Sequence, residues 1–203
     1  RAEGWDISGH KIYTTGIEGL RWLAVWARSD DNPPLVGTWL VAGDSPGISV
    51  VKSWDHAGMR ATGSHEVIFN HVRVAAEHAV DVWPADAPPA AEAEPFRLFA
   101  NRQTALLAAI YDSIAHAAHD WLVRWLAGRV PAGLGHPLSR LPRVQEKVGQ
   151  IAGLLLVNRS LLEQAAALRF SAIEANLAKV TITDNAIQAV NIALELTGKH
   201  GLS

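Results

Sequence analysis

A tract of Pro and Ala, Pro84-Ala-Asp-Ala-Pro-Pro-Ala-Ala-Glu-Ala-Glu-Pro95, divides this 203-residue chain into two parts of different pattern. Nothing in the tract is apolar and large enough to dock on a core, so residues 84–95 read as a linker. Before it, Gly, Pro and Asp cut the chain into short pieces in which β-branched and aromatic residues cluster. Ile7–Thr15 (interrupted at Gly9-His10, read as a turn), Leu20–Ala27, Val36–Ala42, Ile48–Trp54 and Glu66–Val74 are the strand candidates. No helix-length segment separates them, which predicts an antiparallel sheet, sandwich or small barrel over residues 1–83. After the linker the apolar period changes from two to between three and four, which predicts helices over residues 96–203.

Three stripes mark those helices. Leu106, Ile110, Ile114, Ala117, Trp121 and Trp125 form the first, and Val144, Val148, Ile151, Leu155 and Leu162 the second. Ile173, Leu177, Val180, Ile187 and Leu194 form the third. Each is expected to face a core. Ser171 with Glu174 fits a capping box that opens the third helix, and Gly198 and Gly201 supply its stop. Its middle, Val180-Thr-Ile-Thr183, has poor helix propensity and depends on packing. Joined by short connections, the three form most of an antiparallel bundle. The fold class is therefore α+β: an antiparallel barrel- or sandwich-like domain followed by an antiparallel helical bundle.

Composition narrows the chemistry. The formal net charge is -2 and no broad basic field is present, which argues against nucleic acid as a partner. The absence of Cys excludes disulfides, thiolate metal sites and cysteine nucleophiles. No apolar run reaches the roughly 18–20 residues of a membrane span. The chain opens on Arg1 without a signal peptide and reads as part of a longer cytoplasmic protein. Asp112, His116 and His119 share a helical spacing that can bind Zn or Fe. They fall opposite the first stripe, where a solvated face is expected, and no metal is assigned. His65, His71 and His78 read as a surface row. Of the eight Trp, Trp121 and Trp125 follow the first stripe and read as core. Trp22 and Trp26 share a strand face on which a planar cofactor could lie. Phosphate-loop, dinucleotide and nucleophile-elbow motifs are absent.

Four strings together resemble the acyl-CoA dehydrogenase family. Gly9-His-Lys-Ile-Tyr-Thr-Thr-Gly16 is similar to that family's Gly-x-Lys-x-Trp-Ile-Thr strand. Gly58-Met-Arg-Ala-Thr-Gly-Ser64, with Glu66–Phe69 and Val72–Val74, is similar to its middle-domain signature, with Ala75 in place of the usual Pro. Arg102 stands where an Arg opens the first C-terminal helix. Leu194-Glu-Leu-Thr-Gly-Lys-His-Gly201 is similar to the Gly-Gly-x-Gly turn closing the third. The resemblance implies a middle β domain and part of a C-terminal helical domain, incomplete at both ends.

By that resemblance the protein is a flavin-dependent oxidoreductase of fatty acid metabolism, using FAD (or FMN) to dehydrogenate an acyl-CoA thioester with hydride transfer to flavin N5. It implies a homotetramer or homodimer, with an electron-transfer flavoprotein or a flavin reductase as redox partner. Tyr13 would pack on the isoalloxazine ring and Thr15 would hydrogen-bond near N5, with Thr14 between them. Arg129 would grip the flavin diphosphate of a neighbouring subunit, Gln145 would reach the same flavin, and Glu195 and Gly198 would lie on its adenine side. From the residues alone, Thr15 can equally cap a strand, Arg129 can be a helix-end cation and Gln145 an exposed helix amide. The family prefers Gln at position 195 and Gly at 199, where this chain has Glu and Lys, and Val130–Gly135 replaces its Thr-Phe-Gly. The usual catalytic Glu would follow the turn, beyond Ser203. The minority position for it is Asn101, which cannot act as a base. Two other readings stay open: a reduced-flavin-dependent monooxygenase of the same fold, and a diverged, non-catalytic assembly module.

Overall fold

A computed structural model describes residues 4–90 and 93–202. The chain divides into two compact units between Pro89 and Ala90. In the first, alternating strands form two antiparallel sheets: β1 (Trp5–Thr14), β5 (His65–Val74) and β4 (Ile48–Val51) in one, β2 (Trp22–Arg28), β3 (Leu35–Ala42) and β6 (Ala79–Pro84) in the other. Leu23, Val25 and Val41 of one sheet meet Val67, Phe69, Val72 and Val74 of the other around Ile17. This is two sheets over a shared core and not a closed barrel. Trp22 and Trp26 stand on the opposite, exposed face of β2.

Several sequence expectations are corrected here. Gly9-His10 does not turn the chain. β1 runs through it, with register shifts between Ile7 and Gly9 and between Lys11 and Thr14, because an extra residue in an antiparallel pair is absorbed as a bulge. β4 ends at Val51, three residues before Trp54. β6 was not anticipated: Asp81 and Pro84 look like turn residues, but the strand pairs only with β3 and Pro84 closes its end, where no N–H is needed. The expected linker therefore loses Pro84 to β6 and Glu94 and Pro95 to a helix, while Ala91 and Glu92 lie outside the described residues.

The second unit is helical: α1 (Glu94–Gln103), a π-helical turn (Thr104–Ala108), α2 (Ala109–Gly128), α3 (Pro142–Ala166) and α4 (Ala172–Thr197). Arg102 lies in the last turn of α1 rather than opening it. The capping box forms as expected: the Glu174 N–H donates to Ser171 Oγ, and the Ser171 N–H donates to Glu174 Oε2. Gly198 ends α4 at φ 53°.

The second stripe is buried or half-buried, but the first and third face outward except at their ends, where Trp125 packs on the core as expected and Leu194 is half-buried. Leu106 is 72% exposed and Leu177 63%, and Ile110, Ile114, Trp121, Ile173, Val180 and Ile187 are also exposed. The buried faces are built on small residues instead. Ala115, Leu122 and Leu126 of α2 meet Ala186, Ala189, Ile192 and Ala193 of α4, with Ile151 and Leu155 of α3. Alanine faces let helices approach closely, so the bulky side chains are left on the other side. Ile182 at the centre of the β-branched segment is fully buried, which holds that segment helical despite its propensity.

Asp112 is not on a solvated face either. Its Oδ1 accepts a hydrogen bond from Asn158 Nδ2 at 2.8 Å, and Asn158 also receives one from Asn185 and gives one to the Ile182 carbonyl. A polar seam thus ties α2, α3 and α4 together inside the apolar core. His116 approaches the second Asp112 oxygen at 3.4 Å, and no group of three His, Asp or Glu suited to a metal occurs among the described residues.

Candidate flavin site

The first cluster forms where β1 ends. Tyr13 takes a left-handed backbone (φ 59°) that turns its ring outward, 62% exposed. Thr14 pairs with His65 across the sheet. The Thr15 and Ser64 hydroxyls lie 2.9 Å apart, and Ser64 and Thr62 2.8 Å apart. Gly16, at φ 70°, donates its N–H to the Thr62 carbonyl at 2.8 Å. Two strings separated by more than forty residues in sequence, 9–16 and 58–64, are therefore joined by a backbone bond and a chain of three hydroxyls.

The loop after β4 completes this cluster with residues that the sequence did not single out. Trp54 stands edge-on to Tyr13, with ring centres 6.1 Å apart, and packs against His56 at 4.0 Å. Its indole N–H donates to the Met59 carbonyl. His65 is buried, not part of a surface row, whereas His71 is exposed in a bulge. Glu18 and Lys52 pair at 2.9 Å beside His65. The ammonium, by hydrogen bond and charge, holds the Glu18 carboxyl below its ordinary value, and the carboxylate raises Lys52 in turn. A signal for His65 existed in the sequence: it starts an alternation, His65, Val67, Phe69, that is buried throughout. Trp54 gave none, because irregular loops have no period.

The second cluster lies at one end of the helical unit, where α2 and α4 finish and α3 begins. Arg129 caps α2 through its N–H to Trp125, and its carbonyl accepts from Leu138. Gln145, in the first turn of α3, donates its side-chain amide to the Ser139 carbonyl. Lys147, one half-turn on, pairs with Glu195 at 3.2 Å, so the unexpected carboxylate is neutralised within the unit. Gly198 directly follows Thr197, the buried last residue of α4. Arg140, Arg143 and Lys199 stand in the same connections with exposed side chains. This end of the unit therefore carries Arg129, Arg140, Arg143, Lys147 and Lys199 against Glu146 and Glu195, with Lys147 and Glu195 paired to each other.

Asn101 belongs to neither cluster. It is fully buried, donating to the Arg97 and Phe170 carbonyls at 2.8 Å and accepting from the Phe170 N–H. Its amide locks α1 to the α3–α4 turn. A cavity of about 410 Å³ opens at the other end of β1, lined by Trp5, Arg28, Trp39 and His71, and touches neither cluster.

The C-terminal domain of acyl-CoA dehydrogenases matches residues 98–203, just over half of the chain. The chain belongs to the acyl-CoA dehydrogenase family. It is 30% identical over 207 aligned positions to YdbM, an acyl-CoA dehydrogenase homologue of Bacillus subtilis (strain 168), covering 98% of this chain and 51% of that protein. It is 32% identical over 140 positions to the L-evernosamine nitrososynthase of a Micromonospora species, covering 63% of this chain and 30% of that one. The structure of KijD3 with FMN and an amino-keto-sugar linked to dTDP superposes with a TM-score of 0.75 at 25% identity, covering 100% of this chain and 51% of that one. The chain thus spans about half the length of the curated relatives it matches end to end.

Proposed function

We propose that this chain carries two separate part-sites: a ring-binding part at Tyr13–Thr15 and, at the end of the helical unit, a part that grips the flavin diphosphate of a neighbouring subunit. The observation that carries the reading is the union of strings 9–16 and 58–64 through the Thr15–Ser64–Thr62 hydroxyls. Thr62 donates its hydroxyl to the Met59 carbonyl, so Ser64 donates to Thr62 and Thr15 to Ser64. This fixes the Thr15 hydroxyl with its oxygen open to accept from a ring N–H. Tyr13, Trp54 and His56 present aromatic surface beside it. Arg129, Arg140, Arg143 and Lys199 offer the charge a diphosphate needs, with Gln145, Glu195 and Gly198 in the same connections. Bound flavin, FAD in our proposal, supplies the two-electron acceptor that no protein side chain can provide.

The reaction we favour is α,β-dehydrogenation of an acyl-CoA thioester, with an electron-transfer flavoprotein as acceptor. It needs a carboxylate to take the α-proton, and Asn101, an amide engaged on every polar atom, does not serve. The resemblance places that Glu after Ser203. A homotetramer or homodimer and a cytoplasmic setting belong to the same proposal. The exposed apolar faces of α2 and α4 supply surface for such an assembly. A second reading, oxygenation by reduced flavin fed from a reductase, is favoured by the likeness to the nitrososynthase and to KijD3.

One experiment separates the readings. The purified protein, holding flavin, is mixed anaerobically with a panel of acyl-CoA thioesters and its visible band followed. Bleaching by a thioester is the result expected for a dehydrogenase. A bound flavin that no thioester reduces moves the assignment to the oxygenase, and failure to take up FAD or FMN removes both.

A further inference from the structure

The loop that carries Trp54 and His56 forms no regular element, yet its aromatic wall stands against Tyr13. What holds it is an imidazole. The Trp54 backbone N–H donates to His65 Nδ1 at 3.1 Å. A ring nitrogen that accepts a hydrogen bond carries no proton, so the proton of neutral His65 sits on Nε2. That nitrogen lies 4.0 Å from Glu18 Oε2, and Lys52 holds Glu18 from the other side. Ser64, the preceding residue, holds the Thr15 hydroxyl. Two neighbours at the start of β5 therefore reach both sides of the cluster: Ser64 its hydroxyl, His65 its aromatic wall.

We infer that His65 is a positioning residue of the flavin site, fixing the Trp54 ring, and through it Tyr13, by accepting the Trp54 N–H. This inference rests on the flavin reading above. It goes beyond that reading by assigning His65 and Trp54 a role. The required property is a hydrogen-bond acceptor at the place of Nδ1. A side chain of similar bulk without one strands the Trp54 N–H and releases the loop. Asparagine can reproduce it, since its Oδ1 stands at the same distance from the backbone as Nδ1.

The test compares His65→Leu with His65→Asn by two measurements: hydrogen exchange of residues 52–58 in flavin-free protein, and titration of the protein with FAD, recording affinity and the visible band. Expected for His65→Leu are faster exchange in that loop, affinity lower by about tenfold, as for loss of one well-placed interaction, and an altered band. His65→Asn should restore all three. Wild-type FAD affinity and band shape in His65→Leu would overturn the inference. So would equal impairment of the Leu and Asn variants, which would reduce His65 to bulk. If the wild type takes up no flavin the flavin reading itself falls, while unchanged exchange in His65→Leu would still sink the role assigned to His65.

Discussion

At the scale of single residues, the hydroxyl chain and the polar seam make opposite demands. Thr15 is exposed and Ser64 keeps Thr62 as a second partner, so Thr15→Val should barely change stability. Its effect should fall on the cofactor: FAD affinity lower by three- to tenfold, roughly one hydrogen bond, or a displaced flavin potential. Unchanged affinity and potential would remove Thr15 from the site. Asp112 is the reverse case. Asp112→Ala strips a buried acceptor from Asn158 and leaves a void between three helices, at a cost of about 1–3 kcal/mol. A chemical-denaturation midpoint equal to wild type would contradict that placement. The sequence offered Asp112, His116 and His119 as an outward-facing triplet, because spacing reports which residues share a face but not which way the face points. Thr15 and Tyr13 enter the proposed site through a resemblance, and Thr15 meets Ser64 in the structure. Ser64 was in the quoted strings too, but the distance between the strings is a tertiary fact. His65 was legible as the first residue of the buried β5 alternation, whereas Trp54 lies in a loop without period.

At the scale of elements, helix existence was legible and helix orientation was not. The capping box, the Gly198 stop and the α3 stripe stand where the sequence puts them, since each rests on local geometry. The α2 and α4 faces were inverted because both sides of each helix are apolar, and the sequence reading gave the core to the larger residues. Close helix contact favours the smaller. Strand alternation worked for β2 and β3 and failed for β6, a short edge strand built partly from turn residues. The capping box carries its own prediction. The Ser171 N–H, donated to Glu174, holds that carboxyl below its ordinary value of 4.5. A lowered folded-state value means the contribution is complete above 4.5 and drains away as pH falls through the folded value. Wild-type stability should therefore lose its advantage over Glu174→Gln on acidification from pH 6 to about 3, as read by thermal unfolding. A difference that persists at the acid end would assign the stabilisation to something other than this ionised carboxylate.

At the scale of the whole molecule, the proposal gives each unit its own part: the sheet a flavin ring, the helix ends the diphosphate of a neighbouring subunit's flavin. The outward faces of α2 and α4 bear on how the protein assembles. Exposed aliphatic residues on one helix, Ile173, Leu177, Val180 and Ile187, are costly in water unless something covers them. If a second copy does so, Leu177→Glu should lower the mass measured by light scattering, and flavin uptake should fall with it. An unchanged mass would exclude this face of α4 from the interface. Because Leu177 is 63% exposed within the chain, the substitution is not expected to unfold the helical unit itself.

The π-helical turn at Thr104–Ala108 also sets the angular phase between α1 and α2. In an α-helix each residue advances about 100° around the axis, so one residue more or fewer in this turn rotates everything before it by that amount. Asn101 addresses Phe170, Thr104 donates to the Ala175 carbonyl, and Ala115 and Leu122 pack further along the bundle. These engagements can coexist only with the wider turn between them. Deleting a single residue from 104–108 would swing Asn101 away from its partners while leaving every side chain chemically intact. Beyond the Thr104 hydroxyl and the buried Ala108, what this segment has to keep is its length.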